Sequence, residues 1–186
     1  MVTKHPPADA VQPVLNPDTP GKIDKYILDK FGVVDIYPYA NSLYLLTSNS
    51  IKRYTLQTDQ STDWIKQDQG IKDGNALAVE GSIFVLDGRD IVKFTDGKKA
   101  NYTVDNSRLL KPIEIEAYEK RVYVLDADPF HKAVIVYDSV SGAFVEELSL
   151  ADETDLEPVT DFTITKGTNI RIIYEKGHKL LEIPIK

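Results

Sequence analysis

A chain of 186 residues, 42% hydrophobic and 27% charged, has the length and composition of one globular domain able to bury a sizeable core. Its formal net charge of −7 argues against nucleic acid or an anionic membrane as the main partner, since both are held by lysines and arginines that displace counterions. The absence of cysteine excludes disulfides, thiolate metal ligands and a cysteine nucleophile, and no apolar run reaches the roughly 18 residues of a membrane span.

The first twenty residues hold five of the ten prolines: Pro6, Pro7, Pro13, Pro17 and Pro20. With neither a helical nor a strand period, residues 1–21 read as an extended linker or an arm ahead of the domain. The next stretch, "KIDKYILDKF" at 22–31, is the best helical candidate, yet also reads as a strand around Tyr26, Ile27 and Leu28. From residue 33 onward, short runs of Val, Ile, Tyr, Phe and Thr alternate with clusters of Gly, Asn, Asp and Ser, the pattern of strands and turns.

These strands repeat. "NSLYLLTSNSIKRYTL", "GSIFVLDGRDIVKF", "KRVYVLDADPFHKAVIVYDSVSG" and "TNIRIIYEKGHKLLEIPI" each join two strands through a polar turn, with intervals of 40, 39 and 48 residues between Tyr44, Phe84, Tyr123 and Arg171. A further strand precedes each pair ("VVDIYPY", "GNALAVE", "PIEIEAY", "VTDFTIT"), and three units continue into an outer strand ("DWIKQ", "NYTV", "AFVEELSL"). Four short strands at a period near 40 residues are the mark of a propeller blade. The expected fold is all-β: a β-propeller of four blades, mostly of four antiparallel strands, over residues 22–186, with units near 33–69, 70–108, 109–150 and 157–186. The fourth unit ends after its third strand, so residues 24–29, around "DKYIL", are the expected closing strand that covers a bare edge. A closed four-bladed ring is the first expectation. A half-ring completed by a second copy as a homodimer, or the last part of a longer propeller, are the alternatives.

"GSIFVLDGRDIVKF" and "RVYVLDADPFHKAVIVYDSVSGAFVEEL" resemble blades of the NHL and YVTN-like propeller group, in which a strand of large residues ends in Leu-Asp or a similar pair. The resemblance spans residues 33–185. "PVTDFTI" and "VVDIY" are also similar to propeller regions of large bacterial envelope proteins, which implies an extracytoplasmic setting for a chain whose own composition leaves the compartment open. What the resemblance implies is a fold, because propellers host lyases, hydrolases and plain binding scaffolds alike.

Two sets of residues are candidates for chemistry. On the first strands, which line a propeller's channel, Asp35, Asn75, Glu114 and Asp161 recur at one position by count. Their first reading is structural, as acceptors of backbone hydrogen bonds that hold blade to blade. Their second is a cation site, an all-oxygen set suited to calcium or magnesium rather than zinc. On the rim, the turns between second and third strands carry Arg89 and Asp90 in "DGRD", Asp128, Phe130 and His131 in "DADPFHK", and His178 in "EKGH". These are the binding candidates, although each also suits an ordinary polar turn. Two rim histidines are too few for a zinc site, and neither "DADPF" nor "DGRDI" continues as a calcium-binding EF-hand loop. "NYT" at 101–103 matches a glycosylation sequon but falls in an expected strand, and the acidic run 146–161 reads as a solvated loop.

No Gly-x-Ser-x-Gly elbow, phosphate loop or dinucleotide fingerprint is present. The expected function is a non-catalytic binding or assembly module that contacts a protein, peptide or glycan through rim loops, without a cofactor. The alternative is a lyase or hydrolase in which channel carboxylates hold a divalent metal.

Overall fold

A computed structural model describes residues 32–58, 60–150, 159–165, 169–174 and 180–184. They form four antiparallel sheets, each a meander in chain order. The first sheet holds β1 (Val33–Tyr39), β2 (Ser42–Thr47), β3 (Ile51–Thr55) and β4 (Gln60–Ile65). The second holds β5 (Gly74–Val79), β6 (Ile83–Asp87), β7 (Asp90–Thr95) and β8 (Lys98–Lys99). The third holds β9 (Pro112–Tyr118), β10 (Arg121–Asp126), β11 (Ala133–Asp138) and β12 (Phe144–Ser149). The fourth holds β13 (Val159–Thr165), β14 (Asn169–Tyr174) and β15 (Leu180–Pro184). The expected arm at 1–21 and closing strand at 24–29 lie outside the described residues.

The first strands of successive sheets pack on one another, β1 on β5, β5 on β9 and β9 on β13, so the sheets stand as blades around an axis. The second strands of the first three blades, β2, β6 and β10, are covered on both faces, which is why they read as unbroken apolar runs rather than as alternating patterns. In "IFVL", Ile83 and Val85 enter the core between blades 1 and 2, with Tyr44 and Leu46, while Phe84 and Leu86 enter the core between blades 2 and 3. In "VYVL", Val122 and Val124 join that second core, and Tyr123 and Leu125 fill the third, toward blade 4, with Phe162 and Ile170. Burying each such side chain contributes about 1.5–3 kcal/mol. A fourth, smaller cluster, around the buried Leu45 and Tyr54, lies on the face of blade 1 turned away from blade 2. Among the described residues no comparable packing joins β13 back to β1.

The outer strand of blade 2 differs from expectation. A tight turn at Asp96 and Gly97, with φ of 51° and 74°, folds the chain back directly after β7, and only Lys98 and Lys99 pair before it leaves for blade 3. Residues 101–103 are therefore not strand. Tyr102 instead bridges blades, its ring edge-on to Phe84 at 5.6 Å and its hydroxyl donating to the Asp138 carbonyl at 3.0 Å.

The β6–β7 hairpin turns on Gly88, at φ 63°, followed by Arg89. A Cβ at Gly88 would meet nothing within 4 Å, so only backbone strain opposes a side chain there. Gly88→Ala is expected to destabilise by about 1 kcal/mol, measured by urea unfolding. A change below about 0.3 kcal/mol would show that the turn does not need its left-handed glycine.

Candidate functional site: the axial strands and the rim

The first strand of every blade slips by one residue near its start. Val33 lies opposite Thr47 and Asp35 opposite Leu46, leaving Val34 unpaired. In blade 2, Gly74 faces Asp87 and Ala76 faces Leu86; in blade 3, Pro112 faces Asp126 and Glu114 faces Leu125; in blade 4, Val159 faces Tyr174 and Asp161 faces Ile173. The equivalent residues are thus Asp35, Ala76, Glu114 and Asp161. Asn75 is the exposed bulge residue of blade 2, one place ahead of the position assigned to it by counting. All four blades share the bulge, but the hairpin joining first and second strands is one residue shorter in blade 2, where Ala78 pairs with Phe84, than in blades 1 and 3, where Tyr37 pairs with Tyr44 and Glu116 with Tyr123, so a constant interval in sequence does not secure a constant place in the ladder.

The three carboxylates act on one backbone position. Asp35 Oδ1 accepts from the Ile36 N–H at 2.7 Å, Glu114 Oε1 from Ile115 N–H at 3.0 Å, and Asp161 Oδ1 from Phe162 N–H at 2.7 Å. In blade 2 the corresponding donor is Leu77 N–H, and Ala76 offers no acceptor; the second oxygen of Asp35 reaches across from blade 1 to take that bond at 2.7 Å. Asp35 therefore stitches blade 1 to blade 2. Two residues further along, the Tyr37 hydroxyl donates to Glu116 Oε2 at 3.4 Å, linking blade 1 to blade 3.

Burial governs the electrostatics. It raises Glu114 to about 8, with further contributions from Asp35, Asp161 and Glu116, and it raises Glu116 to about 7, again with Asp161 and Asp35 adding their repulsion. Asp35 is raised by burial against the opposing pull of its two backbone bonds. The Tyr37 hydroxyl is raised by burial and by the neighbouring Glu116 charge. Among the described residues no group of three or more histidines and carboxylates is arranged to hold a metal ion. Chemically, the axis is a set of hydrogen-bond acceptors directed at backbone. Sequence reasoning missed Glu116 and Tyr37, whose only signal was the alternation of polar with apolar residues in "PIEIEAY" and "VVDIY".

At the rim, the Leu-Asp endings act as clamps. Asp87 accepts from Lys72 N–H at 2.9 Å and Asp73 N–H at 2.5 Å. Asp126, fully buried, accepts from Leu110 N–H at 2.6 Å, Lys111 N–H at 3.0 Å and Asp128 N–H at 3.0 Å. Each fastens the chain just ahead of its blade's first strand. Arg89 and Asp90 face the same linker: Arg89 donates to the carbonyls of Leu109 and Asn106, and Asp90 accepts from the Asn106 side chain at 2.5 Å.

Asp128, Phe130 and His131 share one loop. Asp128 Oδ1 accepts from Phe130 N–H at 2.9 Å and its carbonyl accepts from His131 N–H at 3.1 Å. The His131 ring meets Glu147 at 3.0 Å, whose other oxygen lies 3.4 Å from Arg108. Phe130 is left 92% exposed. His178 falls outside the described residues. The corresponding edge of blade 1 carries a polar groove of about 610 Å³ lined by Ser48, Asn49, Ser50, Lys66, Gln67 and the Lys52–Asp63 ion pair. Only the polar turn "SNS" hinted at it.

No protein family and no curated protein matches the chain. Solved structures do. The computationally designed Ika4 protein superposes with a TM-score of 0.59 at 14% identity, over 83% of this chain and 91% of that one. The β-propeller domain of Myceliophteria thermophila Cps50 (Swd1) gives 0.58 at 13% identity, over 82% of this chain and 51% of that one, so the chain spans about half its length. The chain is a four-bladed β-propeller. Myxococcus xanthus glutaminyl cyclase matches this propeller with a TM-score of 0.56 at 16% identity, over 80% of this chain and 70% of that one. At such identities the likeness is one of fold.

Proposed function

We propose that this propeller is a non-catalytic binding or assembly module that contacts a protein, peptide or glycan through its rim loops. The supporting observation is Phe130, 92% exposed on a loop tied down by Asp126 and Asp128. An aromatic held on a stiff loop loses little conformational entropy on binding, and aromatic anchors dominate contact surfaces. Arg89, Asp90 and the axial carboxylates are engaged with the chain itself, which leaves the Phe130 loop as the part of the rim best suited to an external partner. The Leu-Asp clamps support kinship with the NHL and YVTN-like group, while a place in a larger envelope protein is supported by the separate likeness of "PVTDFTI" and "VVDIY".

The test compares wild type with Phe130→Ala, both immobilised, against an extract and a glycan array. The variant is expected to melt within about 2 °C of wild type, since an exposed side chain is removed, and to lose at least about tenfold in affinity for whatever wild type retains. Equal retention of every ligand by both proteins would remove Phe130 as the contact.

A further inference from the structure

The chain leaves blade 2 through residues 100–105 and crosses to blade 3. β8 pairs with β7 at Phe94–Lys99 and Thr95–Lys98, and the Ala100 N–H, bonded to the Lys93 carbonyl at 2.8 Å, is the last hold on that ladder. Asn101 is the first residue past it. From there the side chains alternate: Tyr102 and Val104 pack against the core between blades 2 and 3, while Asn101, Thr103 and Asp105 are exposed. Tyr102 fixes this order through its ring against Phe84 and its hydroxyl on the Asp138 carbonyl. Such an alternation sets residues two apart on one side, so the Asn101 carboxamide and the Thr103 hydroxyl both stand toward solvent.

Asn101-Tyr102-Thr103 is the one Asn-x-Ser/Thr triplet in the chain. Inside an outer strand its backbone would be committed to a ladder, and a large substituent would stand against the neighbouring rungs. The structure removes that obstacle, because residues 101–103 belong to no strand and a group attached to Asn101 interrupts no rung. The part of Thr103 that lies close to blade 3 is its carbonyl, with which a Cβ at Gly142 would collide; its side chain is on the open side. The three residues thus divide their work, the middle one anchoring the segment and the outer two facing water.

We propose that Asn101 is the acceptor of an N-linked glycan carried at the outer edge of blade 2. The triplet supplies the two groups that this transfer needs, a carboxamide and a hydroxyl two residues on, in a surface segment. Asn101 Nδ2 forms a bond to the anomeric carbon of the sugar and gives up one proton, while the bond from that carbon to a pyrophosphate oxygen breaks and its electron pair leaves with the pyrophosphate. The donor is a lipid-pyrophosphate-linked oligosaccharide presented by an oligosaccharyltransferase, and nothing is oxidised or reduced. Such donors are used on the extracytoplasmic side of a membrane, the setting proposed above, but the competence of Asn101 as acceptor does not depend on that setting. The outer strand of blade 2 has two residues where those of blades 1 and 3 have six, so a bulky hydrated group rooted here shields a short blade edge from pairing with another chain.

The folded full chain, incubated with a purified oligosaccharyltransferase and a lipid-linked oligosaccharide, tests this directly. Trypsin then releases residues 100–108, bounded by Lys99 and Arg108, and mass spectrometry reads the glycan on that peptide. Wild type is expected to be modified at Asn101 alone; Thr103→Ser should keep transfer within about fivefold and Thr103→Ala should lower it at least about twentyfold. A folded wild type left bare under conditions that glycosylate a synthetic peptide of residues 98–106, or transfer undiminished in Thr103→Ala, overturns the acceptor. Should Thr103→Ala not fold, Asn101→Gln decides, because a glycan still found on residues 100–108 places the attachment elsewhere. Glycosylated and enzymatically deglycosylated chains are expected to melt within about 2 °C of each other, since the modified side chain is exposed. A glycosylated chain melting more than about 5 °C lower would mean that the sugar displaces the Tyr102 anchor, and overturns a site built to carry it.

Discussion

Replacing Asp126 with alanine is expected to lower the unfolding free energy by about 3–5 kcal/mol, the removal of several charge-assisted bonds around one buried group. The side chain is fully buried and takes hydrogen bonds from Leu110, Lys111 and Asp128. Without it those three amides lose their acceptor, and water can reach the exposed linker more readily than the loop start, so the deficit is largest at Asp128. Asp126→Asn retains one carbonyl oxygen and is expected to lose about half as much. Urea unfolding of the three proteins measures both. The Phe130 loop takes its first fixed point from the Asp128 amide, so Asp126→Ala should also weaken rim binding although Asp126 touches no ligand. A loss below about 1 kcal/mol would mean that the Leu-Asp ending is not a clamp.

How far the sequence announces this structure depends on where a residue's partner lies. The blades were legible because their second strands, covered on both faces, stand out as "LYLL", "IFVL" and "VYVL" between turns rich in Gly, Asp and Asn. The recurrence of Leu-Asp was legible too. Its role was not, because Asp87 and Asp126 bind backbone amides some 15 residues upstream, and an amide has no signature in sequence. Counting placed Asn75 with Asp35 because the hairpin between the first and second strands of blade 2 is one residue shorter than that of blade 1, which no count from the second strand reveals. The Tyr37–Glu116 contact joins residues 79 apart and required the axis itself. "NYTV" had the β propensity of an outer strand, yet Tyr102 gains more by packing on Phe84 in the gap between blades than by pairing at an exposed edge.

The wild-type propeller is expected to lose about 2–3 kcal/mol of stability between pH 5 and pH 9, through groups whose proton affinity is higher folded than unfolded. For Glu114, raised from 4.5 to about 8, the folded chain holds the proton across that interval while the unfolded chain has released it. Its contribution is therefore complete below about 4.5 and is lost as pH rises through about 8. Glu116, raised to about 7, acts in the same sense over a narrower window, and Asp35, raised by burial, adds to it. A tenfold difference in proton affinity between folded and unfolded chain corresponds to about 1.4 kcal/mol, but the groups repel one another and titrate as a coupled set, so their contributions do not add and the total falls well short of the sum of the two taken separately. The carboxylates lowered by surface hydrogen bonds, Asp63, Asp105 and Asp138, stabilise above the ordinary carboxylate range and lose that effect only below it, so they contribute no slope here. Glu114→Gln keeps an oxygen for the Ile115 amide and removes the titration. At pH 8.5 it should exceed wild type by about 1–2 kcal/mol, and at pH 5 the two should agree within about 0.5 kcal/mol. Urea unfolding at a series of pH values reads both, and a wild-type profile flat from pH 5 to 9, or a Glu114→Gln profile as steep as wild type, would show that the axial glutamates do not hold their protons in the folded ring.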